Sequence, residues 1–132
     1  MTHPPFYEGT FSQAVEAARK ELKFLLIYLH KENDEDSDRF CQSVLGNPEV
    51  IGYISHSMMF WVGYESRAEA LQIKFKKEPS TALCLIVLKK NGMTVVGRKQ
   101  GGLPNSRELL DWLDNTVVEN GELVRNARVK RE

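Results

Sequence analysis

The sequence has few cysteines, no long apolar run and no excess of charge of either sign. Only Cys41 and Cys84 occur in 132 residues, 43 positions apart, which fits two buried thiols in a reducing compartment better than a disulfide framework. Apolar runs such as Phe24 to Leu29 are far shorter than the roughly 20 residues that span a bilayer, and the first residues lack a secretory signal pattern. We expect one soluble domain, since the length suits a single core.

Motifs for the common catalytic chemistries are also missing. The chain has no G-x-S-x-G, no P-loop and no G-x-G-x-x-G, the local patterns of acyl transfer and nucleotide binding. His3, His30 and His56 are scattered, without a cysteine or carboxylate at ligand spacing, so we expect no zinc site. The sequence therefore predicts no cofactor, no metal and no catalytic residue.

The acidic stretch from Glu32 to Asp38 has only the beginning of a calcium loop. Asp34, Asp36 and Asp38 alternate as the first calcium ligands do. An arginine stands where the turn needs glycine, and a leucine stands where a bidentate glutamate closes the site. We interpret the stretch as a solvated acidic loop of unassigned role.

Local patterns predict alternating helices and strands. Capping-box spacing at Thr10 and again at Ser66 predicts two helix starts, and Pro48 and Asn105 provide two more. A further helical pattern starts at Phe40. Short apolar runs predict four strands, which are Phe24–Leu29, Met58–Val62, Ala82–Leu88 and Met93–Gly97.

The order of these elements indicates the fold class. Strands joined by helical crossovers run parallel in one sheet, whereas Asn91-Gly92 predicts a type I′ hairpin that adds an antiparallel pair. The result is an α/β, thioredoxin-like fold, with a mixed four-stranded sheet flanked by helices and an extra N-terminal helix. We divide the chain into an extension (1–9), the domain (10–120) and a polar tail (121–132) that leads to a following segment.

Thioredoxin-like oxidoreductases carry Cys-x-x-Cys at the start of the helix after the first central strand, where the helix dipole lowers the thiol pKa. The corresponding junction here reads HKENDEDSDRFCQ and has no such pair. Upstream carboxylates raise, rather than lower, the pKa of a nearby thiol. We therefore interpret Cys41 and Cys84 as core residues and expect no thiol chemistry.

The zero net charge hides a basic second half. Residues 1–66 carry 5 Lys or Arg against 10 Asp or Glu, and residues 67–132 carry 13 against 8. Such a local excess attracts anions, although lysines beside a hairpin also protect a sheet edge, and dispersed solvated lysines remain the alternative. A neutral chain without an RNA-binding aromatic pattern does not favour nucleic acid. The candidate carboxylate or phosphate head-group site consists of Lys74, Lys76, Lys77, Lys89, Lys90, Arg98 and Lys99.

Several stretches in order resemble one family. They read FYEGTFSQAVEAARKELKFLLIYLH, DRFCQSVLGNPEVIGYI, MMFWV and LKKNGMTVVGRKQGG. Together they are similar to the UAS domain of the UBX-containing Fas-associated factors, most of all the membrane-anchored second type and its fungal and invertebrate relatives. The likeness covers about Phe6 to Val118.

The resemblance implies a redox-inactive interaction domain that binds long-chain unsaturated fatty acids and self-associates. The parent proteins of the family act in ubiquitin-dependent degradation at the endoplasmic reticulum and lipid droplets, on the cytosolic side. They recruit the valosin-containing AAA ATPase through a UBX domain, which these 132 residues do not contain. Recruitment is therefore not assigned to this chain.

Two questions stay open at this point. The family usually has a proline just before the third strand, whereas here Thr81 takes that place and Pro79 precedes it, so the geometry of the bond before Pro79 is not implied. A passive scaffold that spaces other domains, and a thiol-redox enzyme using Cys41, are the alternative functions.

Overall fold

Four strands form one mixed sheet, in the order β2, β1, β3, β4. Strand β1 (Phe24–His30) pairs in parallel with β2 (Met58–Tyr64) and antiparallel with β3 (Leu83–Lys89), which pairs antiparallel with β4 (Gly92–Lys99). This computed structural model describes residues 2–67, 82–89, 92–99 and 102–131. The predicted mixed four-stranded sheet is confirmed.

Helix α1 (Phe11–Glu21) covers one face of the sheet. Its start is the predicted capping box, because the Thr10 side chain accepts from the Gln13 amide and the Gln13 side chain accepts from the Thr10 amide. Ala14 and Ala18 are fully buried, so the helix approaches the strands closely. The sequence pattern alone thus fixes both where this helix begins and which side faces the core.

Three helices pack on the opposite face of the sheet. Each buries apolar side chains in the larger of the two core clusters, which lies on that face. They are α3 (Pro48–Ser57), α4 (Ser106–Glu119) and α5 (Gly121–Arg131). Pro48 stands in the first turn of α3, where its missing N–H costs no hydrogen bond. The segment predicted as a polar tail is helical here and reaches the core through Val124. Helices therefore lie on both faces of the sheet.

The connection between β1 and α3 is more helical than the sequence predicts. Helix α2 (Glu35–Arg39) begins inside the acidic stretch, and a π-helical segment, Phe40–Val44, follows it directly. Asp34 caps α2. The acidic side chains in the first turn of this helix are stabilised by the positive end of the helix dipole. Interpreting the whole stretch as a solvated loop was therefore wrong.

The β3–β4 hairpin forms, but its register is shifted from the expected one. Gly92 pairs with Lys89 as the first residue of β4, so it is not one of the two turn residues that we predicted. Asn91 lies outside the described residues. A bulge between Leu85 and Ile86 interrupts the ladder, and the apolar pairing of the strands, rather than the turn preference, sets the register.

Some predictions fall on residues outside the described ranges. They include the helix expected after Ser66 and the bond before Pro79. Within the ranges that are described, no helix combines the length and the apolar character needed to cross a membrane.

Candidate functional site

The start of α2 is the place where thioredoxin-like enzymes hold their cysteine pair. Here Asp34 and Ser37 stand at that i, i+3 spacing. Asp34 Oδ2 accepts hydrogen bonds from both the amide and the hydroxyl of Ser37, each at 3.0 Å, and Ser37 is buried. The pair fixes the helix start, and two oxygens cannot perform thiol–disulfide exchange.

Two other acidic side chains of this stretch also have protein partners. Asp36 pairs with Arg39 at 3.3 Å, and Asp38 Oδ1 lies 3.6 Å from His30 Nε2. In the described part of the chain, no group of three or more His, Cys, Asp or Glu side chains is arranged to hold a metal ion.

Acidification tests the role of Asp34. The Ser37 backbone amide and then its hydroxyl lower the pKa of this carboxyl. A carboxylate with a lowered folded-state pKa stabilises the fold above its unfolded pKa and loses that contribution as the pH falls through the folded value. We expect the difference in unfolding free energy between wild type and Asp34→Asn to shrink on acidification. Urea titrations across the acidic range measure it, and parallel pH profiles would contradict the assignment.

Cys41 lies at the carboxyl end of β1, among groups that can take its proton. Its Sγ is 3.5 Å from His30 Nδ1 and 3.7 Å from the Tyr28 hydroxyl, which itself lies 2.9 Å from His30 Nδ1. Burial, and to a smaller extent Asp38, raises the pKa of the Cys41 thiol. Burial also raises the pKa of Tyr28. The Cys41 thiol and the Tyr28 hydroxyl are therefore both uncharged in the resting site.

Cys41 packs against the core, as predicted, but its side chain is only partly buried and also lines a cavity. Cys84 is fully buried, as predicted, and burial raises its pKa to about 12. The partners of Cys41 were not predicted from the sequence. Tyr28 and His30 lie two residues apart, on the same face of β1, and that spacing was the only sequence signal available.

The cavity beside Cys41 has a volume of about 450 Å³, within the range of small-molecule sites. Most of its wall is apolar or aromatic, and the N-terminal segment forms part of it. The lining residues are Thr2, His3, Phe6, Tyr28, Cys41, Gln42, Leu45, Phe60 and Val62.

The basic residues predicted for a head-group site are only partly within the described residues. Lys74, Lys76, Lys77 and Lys90 lie outside them, and Lys89 is described only through its backbone. Arg98 pairs with Cys84, whose side chain belongs to the α1 face, whereas Lys99 pairs with Leu83 of the opposite face. Arg98 and Lys99 therefore do not share a face.

Two solved structures show which fold this sheet and its helices form. A thioredoxin from Thermus thermophilus aligns with a TM-score of 0.76 over 92% of each chain, at 20% identity. A putative disulphide-isomerase from Bacteroides thetaiotaomicron aligns with a TM-score of 0.69 at 21% identity, over 88% of this chain and 94% of its own. The thioredoxin-like fold is thereby confirmed.

Sequence comparisons give the family. A family model described as Fas-associated factor 1 matches residues 1–83, and FAS-associated factor 2-B of Xenopus laevis is 40% identical over 99% of the chain. The chain belongs to the Fas-associated factor family. FAS-associated factor 2 of Homo sapiens is 39% identical over 98% of the chain.

A more distant member of the group connects the Fas-associated factor chain to the UBX proteins, as the sequence resemblance predicted. Plant UBX domain-containing protein 10 of Arabidopsis thaliana is 25% identical over 92% of the chain and 26% of its own length. The chain spans 30% of the Xenopus laevis relative and 29% of the human one. It therefore corresponds to one part of these longer factors.

Proposed function

We propose that this chain is a non-catalytic interaction domain of a UBX-family adaptor in ubiquitin-dependent protein degradation. Its membership of the Fas-associated factor family, with a UBX domain-containing plant relative, supports this proposal. The longer protein would work on the cytosolic face of the endoplasmic reticulum and lipid droplets, and would recruit the valosin-containing AAA ATPase through a UBX domain.

The absence of enzymatic activity is part of the proposal. At the position of the redox pair, Asp34 and Ser37 are occupied in capping α2. Cys41 is the nearby thiol, and its pKa is raised rather than lowered. Catalysis of disulfide exchange requires a ready thiolate, so this arrangement favours binding over turnover.

The ligand we propose is a long-chain unsaturated fatty acid, and the exposed face of β4 is the observation that carries this proposal. Met93 and Val95 are among the few large apolar side chains exposed to solvent. They pair with Leu88 and Ile86, which places them on the same face of the sheet as Arg98. A guanidinium at one end of an apolar strip suits a carboxylate with a hydrocarbon tail.

The position of β4 supports self-association. It is an edge strand, and no described strand pairs with its outer side. The other edge strand, β2, is partly covered, because the Tyr7 amide donates to the Phe60 carbonyl at 2.7 Å. An open strand edge is a template for pairing with another chain.

Oleate should shift the sedimentation profile of the chain toward larger species, and stearate should do so less. Arg98→Glu places a negative charge beside the proposed carboxylate and should weaken the response to oleate, as should combined reversal of Lys74, Lys76 and Lys77. Arg107→Glu is the matched control, because Arg107 is a solvent-exposed arginine on α4, which packs on the opposite face of the sheet from Arg98. Sedimentation velocity at several oleate concentrations measures the shift.

An unchanged profile with oleate would count against fatty-acid binding and favour a passive scaffold. Equal weakening by Arg98→Glu and Arg107→Glu would show that total charge, and not the β4 face, governs the response.

A further inference from the structure

The Cys41 thiol combines three features that binding at β4 does not use: a cavity, a nearby base and a group that orients the base. His30 Nδ1 lies 3.5 Å from Sγ, and Asp38 Oδ1 lies 3.6 Å from His30 Nε2. With Asp38 beside Nε2, the ring proton is favoured there, which leaves Nδ1 as the acceptor. With a nucleophile, a base and an orienting carboxylate placed in this order, a thiol that is neutral at rest can give its proton to the base as it attacks.

We propose that Cys41 is a covalent acceptor site for apolar α,β-unsaturated aldehydes, which enter the cavity beside it. The site is separate from the β4 face and does not depend on fatty-acid binding there. The modification is stoichiometric, so the chain remains a non-enzyme under this proposal.

The chemical class follows from the thiol and the walls around it. Phe6, Leu45, Phe60 and Val62 give the cavity an apolar wall that suits an alkyl chain. Conjugate addition to an enal needs neither an oxidant nor a leaving group. Thr2 and Gln42 also line the cavity, and each has a side-chain donor for the carbonyl oxygen.

The addition balances within the site. The Cys41 proton passes to His30 Nδ1, directly or through the Tyr28 hydroxyl, which lies 2.9 Å from that nitrogen. The sulfur lone pair then forms an S–C bond to the β carbon of the enal, while the π electrons of the C=C bond move to give an enolate. The proton returns from His30 to the α carbon, so the product is the thioether aldehyde and no atom leaves.

Kinetics followed by intact mass and peptide mapping on the full chain test the proposal. The probe is trans-2-nonenal, whose C=C bond is conjugated with the aldehyde, and acrolein is the short-chain comparison. We expect a mass gain of one aldehyde, located on Cys41 and lost in Cys41→Ser. The ratio of nonenal rate to acrolein rate should exceed the same ratio for free glutathione by about tenfold, which burial of roughly two methylenes supplies.

Substitution of the base gives the second measurement. His30→Gln should slow the addition by about a hundredfold, as loss of a positioned base does. His56→Gln on α3 is the matched control, because His56 is exposed and does not line the cavity, and it should react like wild type. Fully buried Cys84 stays unmodified while the chain is folded, so its labelling reports unfolding in every sample.

Three results would overturn the proposal. They are a nonenal preference no greater than that of glutathione, an unchanged rate in folded His30→Gln, or an adduct on other side chains with Cys41 free. Each is distinguishable from failure of fatty-acid binding, because Arg98→Glu leaves the Cys41 site intact.

Discussion

Replacing Asp34 and Ser37 together by cysteine should give a disulfide at the start of α2. The side-chain oxygens of this pair already touch, at 3.0 Å, and the residues have the i, i+3 spacing of a redox motif at a helix N terminus. Because the fold is thioredoxin-like, the backbone at this position should accept the bond with little movement.

The experiment uses a Cys41→Ser background, so that the two new thiols have no accessible competitor. Because Ser37 is buried, the samples are equilibrated with glutathione buffer, quenched with acid and alkylated in urea, which exposes every thiol. Cys84 should then be alkylated in all variants, the two new thiols of the double variant should resist alkylation, and the one new thiol of each single variant should be alkylated. Reduction should restore two alkylation sites. If both thiols remained reactive in an oxidising buffer, the backbone at this position would not have the geometry of a redox site.

The same double variant should still be a poor catalyst of disulfide reduction. Glu35, Asp36 and Asp38 surround the first turn of α2, and their charges disfavour the thiolate that attacks a substrate. Turnover of a disulfide substrate at a rate comparable to that of thioredoxin would contradict this expectation. On this expectation, the missing thiols and the acidic surroundings each disfavour disulfide exchange at the start of α2.

A methyl group added at Gly63 should destabilise the fold by about 1–3 kcal/mol, the usual cost of overpacking a core. Its Cβ would lie 2.6 Å from Cζ3 of Trp61. The indole cannot easily move, because it is buried, donates to the Gly9 carbonyl at 3.1 Å and packs edge-on against Phe11. Gly63 thus provides the space in which the ring lies.

Gly52→Ala is the matched control and should have the opposite sign. Gly52 lies within α3, and nothing stands within 4 Å of its added Cβ. Alanine is favoured over glycine in a helix by roughly 0.5–1 kcal/mol. Urea unfolding of the two variants beside wild type measures both effects, and a loss of stability in both would show that the Trp61 contact is not the cause.

Local signals explain what the sequence could predict of the fold. The capping box at Thr10 and the apolar run of β1 depend on residues close together in the chain. Parallel pairing of β1 with β2 follows from the helical crossover between them. These features are decided by patterns within single elements or by chirality, and a sequence carries both.

The candidate site was less predictable because it depends on contacts between elements. His30 ends β1 and Cys41 lies in the π-helical segment, so their approach to 3.5 Å needs both the strand direction and the irregular helix. A capping aspartate was hidden in a run of acidic residues, where several positions had the same chemistry. The faces on which Arg98 and Lys99 lie depend on the strand register. The predicted turn implied a register one residue away from the observed one.

The unequal edges of the sheet have a consequence for the stoichiometry of any assembly. If two copies join through β4, each uses the same strand, and a two-fold axis relates them. Such an isologous contact closes on itself and consumes the only uncovered edge among the described strands, because Tyr7 occupies part of β2. Strand pairing alone therefore stops at a dimer, and any longer polymer must use a second contact elsewhere on the molecule.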